Sequence, residues 1–173
     1  MERDVDVLEY AKEILEGVKT GALLTARAGG KPNTMTISWG TLGIEWNRTI
    51  FTAFVRPSRH TFGMLEKNAE FTVSVPMEGS PRRLAAQCGT HSGRDVDKAA
   101  EFGFSYVEGK SVSVPGVAEY PLVLECKTVY VQPQDEKAYA HEDLARFYPA
   151  GEDGSRDVHV AFVGEIVRAR LLE

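Results

Sequence analysis

Residues 21–40 read GALLTARAGGKPNTMTISWG, and the period of this stretch decides the fold. Two extended runs, residues 21–28 and 33–40, flank Gly29-Gly30, a dipeptide suited to a tight turn, so the spacing predicts a β-hairpin. Along the second run side chains alternate faces: Thr34, Thr36 and Ser38 share one, while Asn33, Met35, Ile37 and Trp39 share the other. A row of small hydroxyls makes a poor core face and a good set of donors and acceptors for a flat polar ring or a phosphate tail. A solvated strand face, where threonine is common for its β-propensity, accounts for the row equally well at this point.

Outward from the hairpin the pattern stays mainly β. Upstream, residues 5–16 carry Val5, Val7 or Leu8, Ala11, Ile14 and Leu15 at helical spacing, with Gly17 as the expected stop. Downstream, β-branched and aromatic content predicts strands over residues 50–55, 70–75, 122–131 and 159–170. Short helices are expected between them, over residues 58–67, 81–87 and 95–102. Residues 132–157 are polar and punctuated by Pro133, Pro149, Gly151 and Gly154, and show no regular period. Six strands with few long helices imply an antiparallel barrel, closed or partly closed, because a sheet of that size must manage its edges.

Bulk properties narrow the function. At 173 residues one domain over residues 1–173 with a single sizeable core is expected. The start of the chain lacks the charged-then-apolar order of a signal peptide and no stretch is apolar enough to span a bilayer, so a cytoplasmic location is expected. Cys88 and Cys126 lie far apart and suit a reducing compartment. The net charge of −5 disfavours nucleic acid and anionic membranes as partners. Its distribution is uneven. Between Gly17 and Leu65 the bases are Lys19, Arg27, Lys31, Arg48, Arg56 and Arg59, and the acid is Glu45. Such an island fits a small anionic ligand, with chance clustering as the alternative.

The sharpest local anomaly is the helix start at Ser58. Val55-Arg56-Pro57-Ser58-Arg59-His60-Thr61 ends an apolar run, stops at proline and offers Ser58 as an N-cap. First helical turns favour Asp and Glu, yet this one offers Arg59, His60 and Thr61. A phosphate on the Ser58 and Thr61 hydroxyls and the Arg56 and Arg59 guanidiniums would resolve the anomaly; two solvated arginines with local partners would also account for it. Residues 88–98, CGTHSGRDVDK, read as a loop and the next helix start, with Thr90 and Ser92 flanked by Gly89 and Gly93. This start carries Asp95 and Asp97 in its first turn, so it needs no anion. A surface turn is its simpler reading. Gly29-Gly30-Lys31 lacks P-loop spacing, no GxGxxG follows a strand, Cys88 with His91 is only half a metal site, and His159 beside a strand reads as a packed residue.

Taken together, NTMTISWG from Asn33, VRPSRHT from Val55, EFTVSVP from Glu70, CGTHSGRDVDK from Cys88, LECKTV from Leu124 and HVAFVGEI from His159 resemble the flavin reductase-like family of FMN-binding split-barrel proteins. The resemblance implies a homodimeric six-stranded split barrel with FMN in a groove near the subunit interface. It implies that Thr34, Met35, Thr36, Ser38 and Trp39 line the flavin and that Arg56, Ser58, Arg59 and Thr61 hold its phosphate. Gly89, Thr90, Ser92 and Gly93 then help to close the site, with Lys98 a further contact. Two functions remain open on this reading. One is an oxidoreductase that oxidises NAD(P)H and passes electrons through FMN to a flavin, a metal complex or a partner protein. The other is an electron carrier without its own nicotinamide site.

Overall fold

In a computed structural model that describes residues 2–172, the chain begins with a short strand, β1 (Glu2–Asp4), and a helix, α1 (Ala11–Thr20). The expected hairpin follows as β2 (Ala22–Ala28) and β3 (Lys31–Ile37), turned by Gly29 and Gly30 at φ of 58° and 77°. A second hairpin joins β4 (Gly40–Glu45) to β5 (Arg48–Val55). Then come α2 (His60–Leu65), β6 (Glu70–Val75), α3 (Arg83–Thr90), α4 (Lys98–Phe102) and a two-stranded pair, β7 (Tyr106–Val107) with β8 (Gly116–Val117). The chain closes with β9 (Leu122–Pro133), α5 (His141–Phe147) and β10 (Val160–Leu172).

The main sheet has eight antiparallel strands in the order β3-β2-β6-β9-β10-β5-β4, with β1 added to β10. Since β3 and β4 end the path without pairing to each other, the sheet curls but does not close. The antiparallel, incompletely closed form is as expected, and the count of six strands is corrected to eight in the main sheet. The extra strands arise where the sequence signal is weak. The β4–β5 turn is built on Trp46 and Asn47 at φ of 49° and 57°, with no glycine to announce it.

β2 is buried on both faces, which is why its sequence is a nearly continuous apolar run. Leu24 enters the main core with Phe51, Phe71, Phe162, Leu122 and Leu124, whereas Leu23 enters a smaller one with Leu84, Cys88, Phe104 and Tyr120. α1 covers the main core through Ile14 and Val18. Gly17 is inside this helix and not its stop: a side chain there would overlap Val75, so the missing Cβ lets the helix lie against the end of β6. The helix ends instead at Gly21, at φ 112°, and begins later than expected, after a 3-10 turn at Leu8–Tyr10.

Candidate functional site

An edge strand is the floor of the site. β3 pairs with β2 on one side only, so alternate backbone N–H and C=O groups on its other side are left unpaired by the sheet. The Thr34 carbonyl is one of these, and it accepts from Lys98 Nζ at 2.8 Å. The two-residue period turns the Thr36 amide and carbonyl the same way. Beside this edge lies a cavity of about 330 Å³, walled by residues 33 and 35–37 of the strand and 38–39 just after it, by Phe54, Arg56 and residues 58–61, by residues 88–94, and by Lys98 and His159. That volume lies within the range of small-molecule sites.

Every residue assigned to the site from the sequence lines this cavity except Thr34. Its side chain is fully buried, with Oγ1 2.8 Å from Thr25 Oγ1 and 3.1 Å from the Tyr106 hydroxyl. The reason is cross-strand pairing. Thr25 lies directly opposite Thr34, and Tyr106 of β7 reaches the Thr34 hydroxyl, so this part of the hydroxyl row faces protein. Thr36, on the same side of the strand, spends its hydroxyl on the Ala85 carbonyl at 2.5 Å. The strand therefore offers its backbone edge to the cavity more than a hydroxyl row.

The helix start at Ser58 also differs from expectation. α2 begins at His60, with Arg59 in the N-cap position and no side chain capping it. Ser58 gives its amide (3.2 Å) and hydroxyl (2.5 Å) to the two carboxylate oxygens of Asp157. The hydroxyl's hydrogen goes to a charged acceptor, and no amide of α2 donates to a capping side chain. Arg56 donates to the Phe147 carbonyl at 3.0 Å and lies 5.0 Å over the Tyr148 ring. Thr61 is buried, and its oxygen accepts from Asn33 Nδ2 at 2.8 Å, which leaves its own hydrogen to give.

Across the cavity, Cys88, Gly89 and Thr90 belong to the last turn of α3, not to a loop, and Thr90 Oγ1 donates to the Ala86 carbonyl. Ser92 Oγ accepts from the Arg94 amide at 3.2 Å. Gly93 is pressed against the Asn33 carboxamide so closely that any Cβ would overlap it. Asp97 is the N-cap of α4, accepting from the Ala99 and Ala100 amides. Lys98 is 5% exposed, and Nζ reaches the Thr34 and Cys88 carbonyls, both at 2.8 Å. Two of its three hydrogens are thereby used. Among the described residues no carboxylate pairs with it. Burial, and then Arg59, lower its pKa. Burial also pushes the neighbouring Cys88 thiol up to about 11, so that side chain stays protonated.

Sequence reasoning missed Asn33, His60, Arg94, Asp157 and His159. His60 and Arg94 stood in the quoted blocks without a role, and only the fold brings His159 to the cavity and Asp157 to Ser58. His159 is part of an aromatic wall: its ring is 5.0 Å from Trp39 and its Nδ1 is 2.7 Å from the Tyr148 hydroxyl, while Trp39 also meets Phe147 edge-on at 5.5 Å. Burial, and then Arg56 and Arg59 against the pull of Asp157, push the His159 pKa down to about 4.

The linkage has a definite sign. The unfolded chain binds a proton here near pH 6.5 and the folded chain only near 4, so His159 destabilises the fold as pH falls between those values. His60, whose pKa is lowered by burial and then by Arg94 and Lys98, acts in the same direction. In an NMR titration the His159 ring resonances should hold their neutral positions down to about pH 5. A midpoint near 6.5 would contradict the buried wall.

A positively charged, partly buried cavity beside an unpaired strand edge suits a flat heteroaromatic phosphate ester. The edge meets ring donors and acceptors; Arg59, Arg94 and Lys98 meet negative charge. The comparisons with known proteins point the same way. Residues 18–173 match the flavin reductase like domain. An uncharacterized protein of Archaeoglobus fulgidus is 30% identical over 135 residues, 77% of this chain and 75% of that one. Flavoredoxin from Methanosarcina acetivorans superposes with a TM-score of 0.66 at 27% identity, covering 88% of this chain and 68% of that chain. The FMN-binding domain of a flavin reductases-like enzyme from Shewanella baltica superposes at 0.71 with 19% identity, over 99% and 77%, and that likeness is one of fold.

Proposed function

The chain belongs to the flavin reductase-like family, and on that premise we propose that the cavity binds FMN and that the protein is an oxidoreductase. Electrons pass from a nicotinamide nucleotide through the flavin to a second flavin, a metal complex or a partner protein. The observation that carries this reading is the convergence of the unpaired β3 edge with Arg59, Arg94 and Lys98 on one cavity. FMN, when bound, supplies the electron chemistry, and the chain supplies position and charge.

The residues divide by what they offer. Arg59, Ser58 and Thr61 hold the phosphate, and Arg56, committed to Phe147 and Tyr148, fixes the aromatic wall behind it. Met35, Thr36, Ser38 and Trp39 present the strand edge and its flanks to the ring. Gly89 lets the end of α3, and Gly93 the α3–α4 connection, approach β3, with Thr90 and Ser92 beside them, and buried Lys98 brings a positive charge to the ring or its tail. His159 stays neutral and keeps that wall uncharged at physiological pH.

The proposal extends to the assembly: one domain, acting in the cytoplasm as a homodimer. Among the described residues no helix is long and apolar enough to cross a membrane. Support for the dimer comes from Ile44 and Trp46, each 62% exposed at the β4–β5 turn, and from half-exposed Tyr130 and Val131 on β9.

Purified protein reconstituted with FMN should be yellow, hold one flavin per chain and sediment as a dimer. Under anaerobic conditions NADH or NADPH should bleach the flavin band. If dithionite bleaches it and neither nucleotide does, the protein is an electron carrier. If no flavin is retained, the cofactor assignment is wrong.

A further inference from the structure

Asp157 is bonded to Ser58, one of the residues assigned to the phosphate. Ser58 has one amide hydrogen and one hydroxyl hydrogen, and both go to this carboxylate, at 3.2 and 2.5 Å. The carboxylate comes from the polar stretch that leads into β10, two residues before His159, and neighbouring contacts tie down the segments around it. Arg156 donates to the Tyr148 carbonyl and lies 3.8 Å from Glu136, while Arg56 is bonded to the Phe147 carbonyl. Arg94 reaches the carbonyl of Ser58 at 3.3 Å. A ligand phosphate reaching Ser58 has to compete with Asp157 for these hydrogens, and it meets a like charge there.

We propose that Asp157 competes with the ligand's phosphate for the donors of Ser58, and so sets how strongly the site distinguishes a phosphorylated flavin from a phosphate-free one. This rests on the assignment of the cavity to FMN. The chemistry is one of balance. Arg59, Arg94 and Lys98 attract the phosphate, and Asp157 subtracts from that attraction at a single point. The consequence is an FMN affinity lower than the cations alone would give. Asp157 is thus a specificity-determining residue that acts through Ser58 and touches no reacting atom.

The test compares FMN with riboflavin, which carries the same ring and no phosphate, in wild-type protein and in Asp157→Asn. Asparagine keeps an acceptor for Ser58 and removes the charge, and Asp157→Ser serves as a second variant; melting temperatures verify that each folds. Asp157→Asn should bind FMN roughly tenfold more tightly, by slower dissociation, with riboflavin affinity unchanged. Weaker FMN binding would mean that Asp157 positions Ser58 for the phosphate, and would overturn the proposal. Equal changes for both flavins, or none for either, would overturn it too. Wild-type protein that takes up neither flavin removes the cofactor assignment itself, and the role of Asp157 with it.

Discussion

Replacing Arg170 by methionine is expected to cost about 3–5 kcal/mol, enough to unfold much of the population of a domain whose whole stability is on the order of 5–15 kcal/mol. Arg170 and Glu125 are both fully buried, on neighbouring strands β10 and β9, with Nε 2.9 Å from Oε1 in an ion-pair contact that lacks hydrogen-bond alignment. Around them the hydrogen bonds are well made. Glu125 accepts from the backbone amides of Lys110, Ser111 and Val112, and Arg170 donates to Glu2 and to the Glu108 carbonyl, each at 2.6 Å. The pair therefore ties β1 and the 108–112 loop to the centre of the sheet. Methionine fills the space and leaves a buried carboxylate without its cation. Urea unfolding should show Arg170→Met and Glu125→Gln each strongly destabilised, and the double variant far less so than their sum. A loss below about 1 kcal/mol for Arg170→Met would class the pair with surface ion pairs.

Very little of that pair was visible beforehand, and the reason applies to the site as well. β6 matches its expected bounds and β2 falls one residue short, because period, turn residues and strand content agree there, whereas β3 runs Lys31–Ile37 where residues 33–40 were expected. α5 left no trace because none of its residues is buried, so it has no apolar stripe for a periodicity to reveal. Strand alternation said which side chains share a face with Thr34, but not that Tyr106 would cover it. At Ser58 local physics was informative up to a point. A first turn with Arg59 and His60 and no acid draws an anion, and the carboxylate it draws in the fold is Asp157, 99 residues away. What residues near in sequence do to one another could be read; which distant group completes a contact could not.

Arg59→Ala is expected to weaken FMN roughly 10- to 100-fold, the worth of a hydrogen bond between charged groups. Arg59 is exposed beside the cavity and, among the described residues, forms no ion pair, so its loss should leave the ligand-free protein as stable as before. Ser58→Ala separates two roles. Since Ser58 does not cap α2, the change cannot cost an N-cap; it removes a hydrogen bond to a partly exposed carboxylate, and stability should fall by only about 0.5–1.5 kcal/mol. Its effect on FMN should be smaller than that of Arg59→Ala, because the hydroxyl lost was already shared with Asp157. Riboflavin discriminates again: both variants should bind it as the wild type does. If Arg59→Ala leaves FMN and riboflavin affinities unchanged, the phosphate lies elsewhere on the cavity wall, and Lys98 with Arg94 become the cations that hold it. If instead riboflavin weakens as much as FMN, Arg59 supports the ring and not the tail, and the positive first turn of α2 must be explained by Asp157 alone.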